Sequence, residues 1–378
     1  MNSGGDQPGT PWDATHITEM CARRAEWLRG EGHSADVVMS SRVRLARNLD
    51  GMMFMPKADR AQRERVLERC RAAILESDLA PRMLWVDLHE TGKAERLLLV
   101  ERQLISRSLA RGKQPGGAGS KDEPRGVAVG LPDEQFSIMV NEEDHVRIQA
   151  MRSGLCLAEA AEHAGAIDDQ LDRRLGYAFN DRFGYLTACP TNLGTGARFS
   201  VMLHLPALKL TSEIDKVKHA AEDMGLAVRG FYGEGSEAFG DFYQISNQVT
   251  LGRSESDLLA TMQREIVPKV VEYERRARDV MLNSRRRSTE DKVFRGLGLL
   301  RAARLLSVEE AMNGLSIVRL GVQLGLVHDV DLEAITRLIL RIQNAHLDVT
   351  SPGPKNPAAR SGARADLVRR TLSATPGE

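Results

Sequence analysis

Polar, glycine- and proline-rich positions fill residues 1–15, and an apolar side first gathers over Glu19–Arg29, where Met20, Trp27 and Leu28 predict a short helix. ADVVMSSRVRLARNL at 35–49 reads as a β-like entry into an arginine-rich segment. Asp59–Glu76 places Val66, Leu67, Cys70 and Ile74 three to four residues apart, which predicts a helix. The period then changes. RLLLV (96–100), GVAVGL (126–131), FSIMV (136–140), FSVMLHL (199–205), LAVRGF (226–231) and FYQISNQVTL (242–251) are short, apolar and partly β-branched. Glycine and proline punctuate them, as in sheet strands. VRIQAMRSGL (146–155) and LAEAAEHAGAIDDQLDRRLGYAF (157–179) read as helical, and RGKQPGGAGSKDEPR (111–125) as an exposed hairpin or loop insertion.

Beyond Gly252 the strand pattern stops, and helical stretches are predicted at 256–282, 289–306, 308–322 and 331–347. Ser307 and Glu310 form a capping box, in which hydroxyl and carboxylate satisfy free N–H groups at a helix start. TSPGPKNPAARSG (350–362) reads as a linker before a short basic tail. Mixed α+β followed by all-α predicts two domains with a boundary near 252–258: an N-terminal segment 1–35, a catalytic domain 36–254 and a helical domain 255–378.

Charge changes this picture little. Lys+Arg and Asp+Glu each total 52 in 378 residues, so the chain has no global attraction to nucleic acid or to an anionic membrane. No apolar run approaches the ~18 residues of a membrane span, and the N-terminus lacks the basic start and apolar run of a signal peptide. Cys21, Cys70, Cys156 and Cys189 are widely spaced, which argues against a disulfide framework or a zinc site. A cytoplasmic protein with reduced thiols and no protein-held metal is expected.

Candidate chemistry lies in local clusters. Arg42 and Arg44 stand two apart on an extended stretch, so their side chains share a face. Arg147 follows NEEDHV, Arg198 follows TNLGTGA and Arg229 opens RGFYGEG. Arginine suits phosphate because its permanent charge comes with a fork of N–H donors. Any one arginine of a chain this rich in them reads first as a solvated surface charge. Glu142, Glu143 and Asp144 have the composition of a solvent-facing turn, yet they directly follow the apolar FSIMV, and a strand end holds a carboxylate rigidly. Glu234 sits between Gly233 and Gly235, in a turn or a closing segment. Cys189 precedes Pro190 among Thr191, Asn192 and Thr195, a polar setting that admits either a packed thiol or an accessible one. No GxxxxGK[ST] occurs, so the LGTG glycines are not a Walker loop.

ACPTNLGTG with Arg198 resembles the CP[ST]NLGT signature of the phosphagen kinases, VNEEDH resembles their second signature, and SSRVRLARN is similar to their nucleotide-binding arginine segment. RGFYGEGSE stands where that family's substrate loop belongs, and the likeness over roughly 36–250 is strongest to the protein-arginine kinase branch. It implies an antiparallel sheet bearing helices, similar to the phosphagen-kinase/glutamine-synthetase-like core, with an all-α domain behind it. The implied reaction is transfer of the γ-phosphoryl group of ATP, with Mg²⁺ bridging its phosphates, to arginine side chains of proteins. Arg42, Arg44, Arg147, Arg198 and Arg229 would clamp the phosphates, and Glu143 and Glu234 would grip the guanidinium with Cys189 packed beside it. Ser40, Ser41, Val43, Gln103, Phe199, Ser200, Val201, Met202, Gly230, Phe231, Tyr232, Gly233 and Glu234 complete the implied nucleotide site, Glu234 serving both roles.

Two departures stand out. VERQLIS places Gln103 where that branch carries a histidine in a VEKHLIS-like segment, which implies altered ATP affinity. Near the C-terminus, Asp366 and Arg369 fit an Arg-Asp-x-x-Arg-Ala phosphoarginine-binding motif, but Ala365 replaces its first arginine, Arg364 is displaced by one and Arg370 replaces its alanine. A basic helical tail is the alternative there. The architecture favours protein substrates, because only about 35 residues precede SSRVR and the helical domain follows the catalytic one. The other readings are a kinase of free arginine or another small guanidine, and a non-catalytic phosphoarginine-binding adaptor. The family also implies a homodimer or higher oligomer, an activator protein, a phosphoarginine phosphatase and a Clp-type protease.

Overall fold

The computed structural model describes residues 12–112, 123–231, 239–351, 353 and 355–373. In chain order the N-terminal half runs α1 (Ala14–Ala22), β1 (Val38–Arg47), α2 (Arg60–Leu75), β2 (Arg82–Asp87), α3 (Lys93–Glu101), α4 (Arg107–Arg111), β3 (Gly126–Leu131), β4 (Phe136–Val140), β5 (Val146–Ser153) and α5 (Leu157–Leu175). It continues through a short hairpin, β6 (Phe179–Asn180) and β7 (Gly184–Tyr185), then β8 (Ala197–His204), α6 (Pro206–Leu210), α7 (Ile214–Asp223), β9 (Leu226–Gly230) and β10 (Phe242–Asn247). Helices α8 (Glu255–Ala260), α9 (Val267–Ser284), α10 (Arg286–Ala302), α11 (Val308–Gln323), α12 (Leu332–Arg341), α13 (Asn344–Thr350) and α14 (Pro357–Ser373) follow.

Eight strands form one sheet in the order β2-β3-β4-β5-β1-β8-β10-β9, and every pairing in it is antiparallel. Because side chains alternate across a strand, Val43, Leu45, Ile138, Ile148, Phe199, Val201 and Ile245 form one apolar face, packed with residues of α2, α5 and α9. Toward β2, the opposite face carries Leu84, Val86, Val127, Val129 and Met139, which join a second apolar cluster with α3, α10, α11, α12 and α14. Helices α10 and α11 approach closely: a Cβ on Gly314 would stand 2.8 Å from Leu300, and one on Gly321 2.3 Å from Val293. No described helix is long and apolar enough to cross a membrane.

The expected α+β architecture is present, with local corrections. RLLLV lies in helix α3, not in a strand; leucine is a strong helix former, and Glu95 caps the start by accepting from the Gly92 N–H at 3.1 Å. VRIQAMRS is strand β5, not a helix: Val146, Ile148 and Ala150 alternate into the core, and Gly154 (φ +68°) ends it. RMLWVD, which carried no expectation, forms β2. The first helix lies earlier than expected, starting at an Asp13 cap that accepts from the Thr15 and His16 N–H groups, and Glu26–Leu28 makes a separate 3₁₀ turn. The stretch 256–282 contains a π-type turn at Thr261–Ile266, and 331–347 divides into α12 and α13. Helix α14 begins inside the expected linker at Pro357, a residue suited to a first helical turn. The Ser307–Glu310 capping box is present. Residues 113–122 of the expected loop insertion lie outside the described residues.

Candidate active site

The strand register dictates what shares the sheet's second face. Arg44 pairs with Gln149 on one side and Arg198 on the other, Arg42 pairs with Met151 and Ser200, and Arg147 lies opposite Ala46. Arg229 on β9 lies opposite Gln244 on β10. Residues directly opposite in an antiparallel pair project to the same side, so four strands aim arginines one way. They line a single cleft of about 590 Å³ together with Gln103, Ser106, Arg107, Glu142, Glu143, Cys189, Thr191 and Asn192.

This cleft concentrates positive charge. Burial, followed by repulsion from Arg198, Arg147 and Arg229, pushes the Arg42 guanidinium down to about 10. Arg44 is driven well below the usual arginine range by burial and then by Arg42, Arg198 and Arg147, and its buried Nε has no hydrogen-bond partner among the described residues. Among the described residues Arg42 donates to neutral groups, Ser200 Oγ at 3.4 Å and Gln103 Oε1 at 3.3 Å, and Arg198 donates to Ser246 Oγ at 3.2 and 3.3 Å. A phosphate chain would bring negative charge and acceptors to Arg42 and Arg44.

Arg147 stands where the cage meets the acids. Its two terminal nitrogens take one carboxylate each, Glu142 on one side and Glu143 at 3.0 Å on the other. Burial opposes its charge, but Glu142, Asp144 and Glu143 outweigh that and hold its titration above the ordinary range. Glu142 is buried and accepts from Ser106 Oγ at 2.5 Å, whereas Glu143 keeps 26% of its side chain exposed, open to the cleft. Asp144 has a separate task. Its Oδ1 accepts from Asn48 Nδ2 and the Ala188 N–H, each at 2.7 Å, and so fixes the chain just ahead of Cys189. Burial pushes the Asp144 carboxyl up, the Ala188 N–H and then Arg147 opposing it. The Cys189 sulfur lies 3.0 Å from Thr191 Oγ1.

The cleft thus assembles Arg42, Arg44, Arg147, Arg198, Arg229, Gln103, Glu143 and Cys189 from the expected site. Ser40, Ser200 and Met202 share the arginine face, with Arg42 and Gln103, around a small pocket behind the cleft. Ser41, Val43, Phe199 and Val201 do not present side chains there. The last three belong to the apolar core, and Ser41 donates to the Gly154 carbonyl at 2.8 Å, so only their backbone lies beside the arginines. Phe231 is buried against Trp27 and Phe242, next to buried Gly230. Tyr232, Gly233 and Glu234 lie outside the described residues. Gly194 (φ +110°) serves packing: a Cβ there would meet the Thr250 carbonyl at 2.8 Å. Arg47, within the same arginine-rich segment, is a brace that pairs with Asp168 at 2.7 Å and donates to the Thr195 carbonyl. At the C-terminus Arg364 is consumed by the carbonyls of Ile342 and Leu306 and by Asn344, while Asp366 and Arg369 pair with each other on α14. Lining residues outside the expected set include Glu142, Gln149, Gln244 and Ser106–Ser108 at the start of α4; the alternation of 146–151 about Arg147 is the signal that would have found Gln149.

Among the described residues no group of three or more His, Cys, Asp or Glu is placed to hold a metal ion. The donor set fits a divalent cation carried by a ligand's phosphates and water better than one caged by protein.

An arginine cage that opens onto carboxylates, on an antiparallel sheet, defines a phosphotransferase of the guanido class. Residues 65–277 match the family described as ATP:guanido phosphotransferase, C-terminal catalytic domain, and residues 286–378 match the protein-arginine kinase McsB C-terminal domain. Lombricine kinase superposes with a TM-score of 0.55 at 26% identity, covering 68% of this chain and 70% of that one. The duplicated taurocyamine kinase from Schistosoma mansoni with bound transition-state analog components gives 0.54 at 27%, covering 67% and 36%. Proteins named protein-arginine kinase match nearly end to end: that of Symbiobacterium thermophilum is 44% identical over 93% of this chain and 98% of its own length. That of Geobacillus stearothermophilus is 41% identical over 92% and 93%. The chain belongs to the protein-arginine kinase family of ATP:guanido phosphotransferases.

Proposed function

We propose that the chain transfers the γ-phosphoryl group of ATP to arginine side chains of proteins, forming phosphoarginine. The observation that carries this reading is the convergence of five arginines with Glu143 in one cleft, the buried Nε of Arg44 without an acceptor among the described residues. A guanidinium, which holds its proton throughout the ordinary pH range, is a poor nucleophile. Glu143 orients it and takes a proton as the arginine nitrogen bonds to phosphorus and the bond to the β–γ bridging oxygen breaks. Glu234 is proposed as the second carboxylate and Cys189 as the group packed beside the guanidinium. The arginines neutralise charge on the transferring group, and Mg²⁺ bound with ATP would add to that neutralisation. Exposed arginines of folded or flexible proteins are the proposed acceptors. A cytoplasmic setting, self-association through the helical domain 255–378, an activator protein and a Clp-type protease belong to the same proposal.

Incubation with Mg·ATP and a protein substrate, followed by mass spectrometry without acid, is expected to find phosphate on arginine. Acid would hydrolyse the labile P–N bond and hide the product. Labelling of free arginine alone would select a small-guanidine kinase, labelling of serine or threonine would contradict the class, and no labelling would favour an adaptor. Glu143→Gln should lower turnover about 10²–10³-fold, the usual effect of losing one transition-state contact, with ATP binding nearly intact. Near-normal turnover would remove Glu143 from its role.

A further inference from the structure

Three consecutive residues at the end of α3 face three different ways. Glu101 points to the C-terminal helices. Its carboxylate accepts from the N–H groups of Ala345 and His346 at 2.8 and 3.0 Å, and it meets His346 Nδ1 at 2.9 Å. Arg102 is a buried pivot: its guanidinium makes contacts of 2.7–3.0 Å with Glu134, its Nη1 lies 3.4 Å from His346 Nε2, and its carbonyl accepts from Trp27 Nε1 at 3.2 Å. Gln103 turns into the cleft. Its backbone adopts φ +65°, its carbonyl accepts from Gln149 Nε2 at 2.6 Å, and its side chain accepts from Arg42 at 3.3 Å.

The chemistry leaves His346 one state in this arrangement. Arginine offers only donors, so Nε2 must accept and the ring proton sits on Nδ1, donated to Glu101. Burial depresses the imidazole, in keeping with a neutral ring. Glu101 therefore caps α13, and His346 spans Glu101 and Arg102. The left-handed backbone at Gln103 is uncommon for a non-glycine residue, so neighbouring contacts must hold it.

We infer that the Glu101–Arg102–His346 cluster is a positioning device for the nucleotide cleft, through which docking of α13 sets Gln103 and, by way of Gln103, the Arg42 guanidinium. His346 is a positioning residue, since it touches no substrate. Coupling between sites is reciprocal, so a nucleotide that orders Gln103 also tightens α13 on α3. The inference rests on the proposed nucleotide reading of the cleft, and binding of ATP to the wild-type chain, measured by calorimetry, tests that reading separately.

The test is a double-mutant cycle with a conservative rescue. His346→Ala is expected to raise the KM for ATP about tenfold while leaving the KM for the arginine acceptor unchanged, and Gln103→Ala to do likewise. The double variant should be no worse than either single one, and His346→Gln, whose amide can both donate and accept, should recover most of the loss. Additive effects, or a loss confined to kcat, would overturn the inference. Hydrogen exchange on the wild-type chain needs no variant: a non-hydrolysable ATP analogue should slow exchange at the Ala345 and His346 amides, and unchanged rates there with the analogue bound would also overturn it.

Discussion

The two faces of the central sheet use the same strands and obey opposite chemistry. At odd-numbered positions of β1 and β8, Val43, Leu45, Phe199 and Val201 lie in a dry core. One residue away, Arg42, Arg44 and Arg198 crowd into a cleft in which burial and mutual repulsion push the first two below their ordinary range. The apolar face gains free energy from every buried methylene, whereas the arginine face holds like charges close together and costs some. Stability and function are thus separated by a half-turn of side-chain direction. The rigid face lets the strained one wait for its anion.

The largest expected effect breaks the apolar face. Phe199→Ala removes a fully buried ring and should cost about 3–5 kcal/mol, read as a lower denaturant midpoint. Chain that remains folded should bind ATP as before, because the ring points away from the cleft. Loss of affinity in proportion to loss of stability would show that the faces are not separable.

This division also explains what was legible in the sequence. β3, β4, β8, β9 and β10 announced themselves as apolar runs between turns, and Arg42 and Arg44 as a pair on one side of a strand. The β5 segment misled for a functional reason. Arg147 and Gln149 on its cleft face, and Arg152 turned the other way toward His163, interrupt its apolar residues, and such polar positions mimic an amphipathic helix. RLLLV misled because a leucine run fits a buried helix as well as a strand. The acid triplet was visible, but not its division of labour: Glu142 buried against Arg147, Glu143 half-open, Asp144 bracing the Cys189 loop. Contacts such as Glu101 with His346, 245 residues apart, leave no local pattern at all.

A smaller effect, of mixed sign, comes from the arginine face. Arg44→Met deletes a crowded guanidinium whose Nε has no partner among the described residues and substitutes an apolar side chain, so the nucleotide-free protein should gain about 1 kcal/mol. ATP affinity should fall about 10- to 100-fold, the worth of a charge-assisted hydrogen bond. Thermal shifts with and without nucleotide check both signs together. A variant less stable than wild type without nucleotide would mean that the cage is held together by more than its ligand.

The smallest effect contrasts two ends of the arginine face. Six residues along β8 from Arg198, at an alternate position, His204 is fully buried and stacked on Phe242 at 4.8 Å. Its Nδ1 lies 2.7 Å from Arg319 Nη1 and must accept, so Nε2 carries the proton toward Ser316 Oγ at 2.9 Å, and Ser316 donates to Asp241 at 2.8 Å. Burial, then Arg319 and Arg278, hold its titration well below the ordinary histidine value. Where the cleft waits for an anion, this sealed end instead refuses a further cation. Above about pH 6.5 the ring is neutral in both folded and unfolded chains, and the group adds no pH dependence. As pH falls below that value the unfolded chain takes up a proton that the folded one excludes, so stability drops by up to about 1.4 kcal/mol per pH unit for this one group. His145, His163 and His346 are depressed by burial as well and should steepen the fall. Urea unfolding between pH 7.5 and 5.5, values that bracket the histidine range, should therefore show declining stability. His204→Gln should make that decline shallower by about one proton, whatever its effect at pH 7.5; an unchanged slope would mean that His204 is protonated in the fold and that Arg319 has moved to admit it.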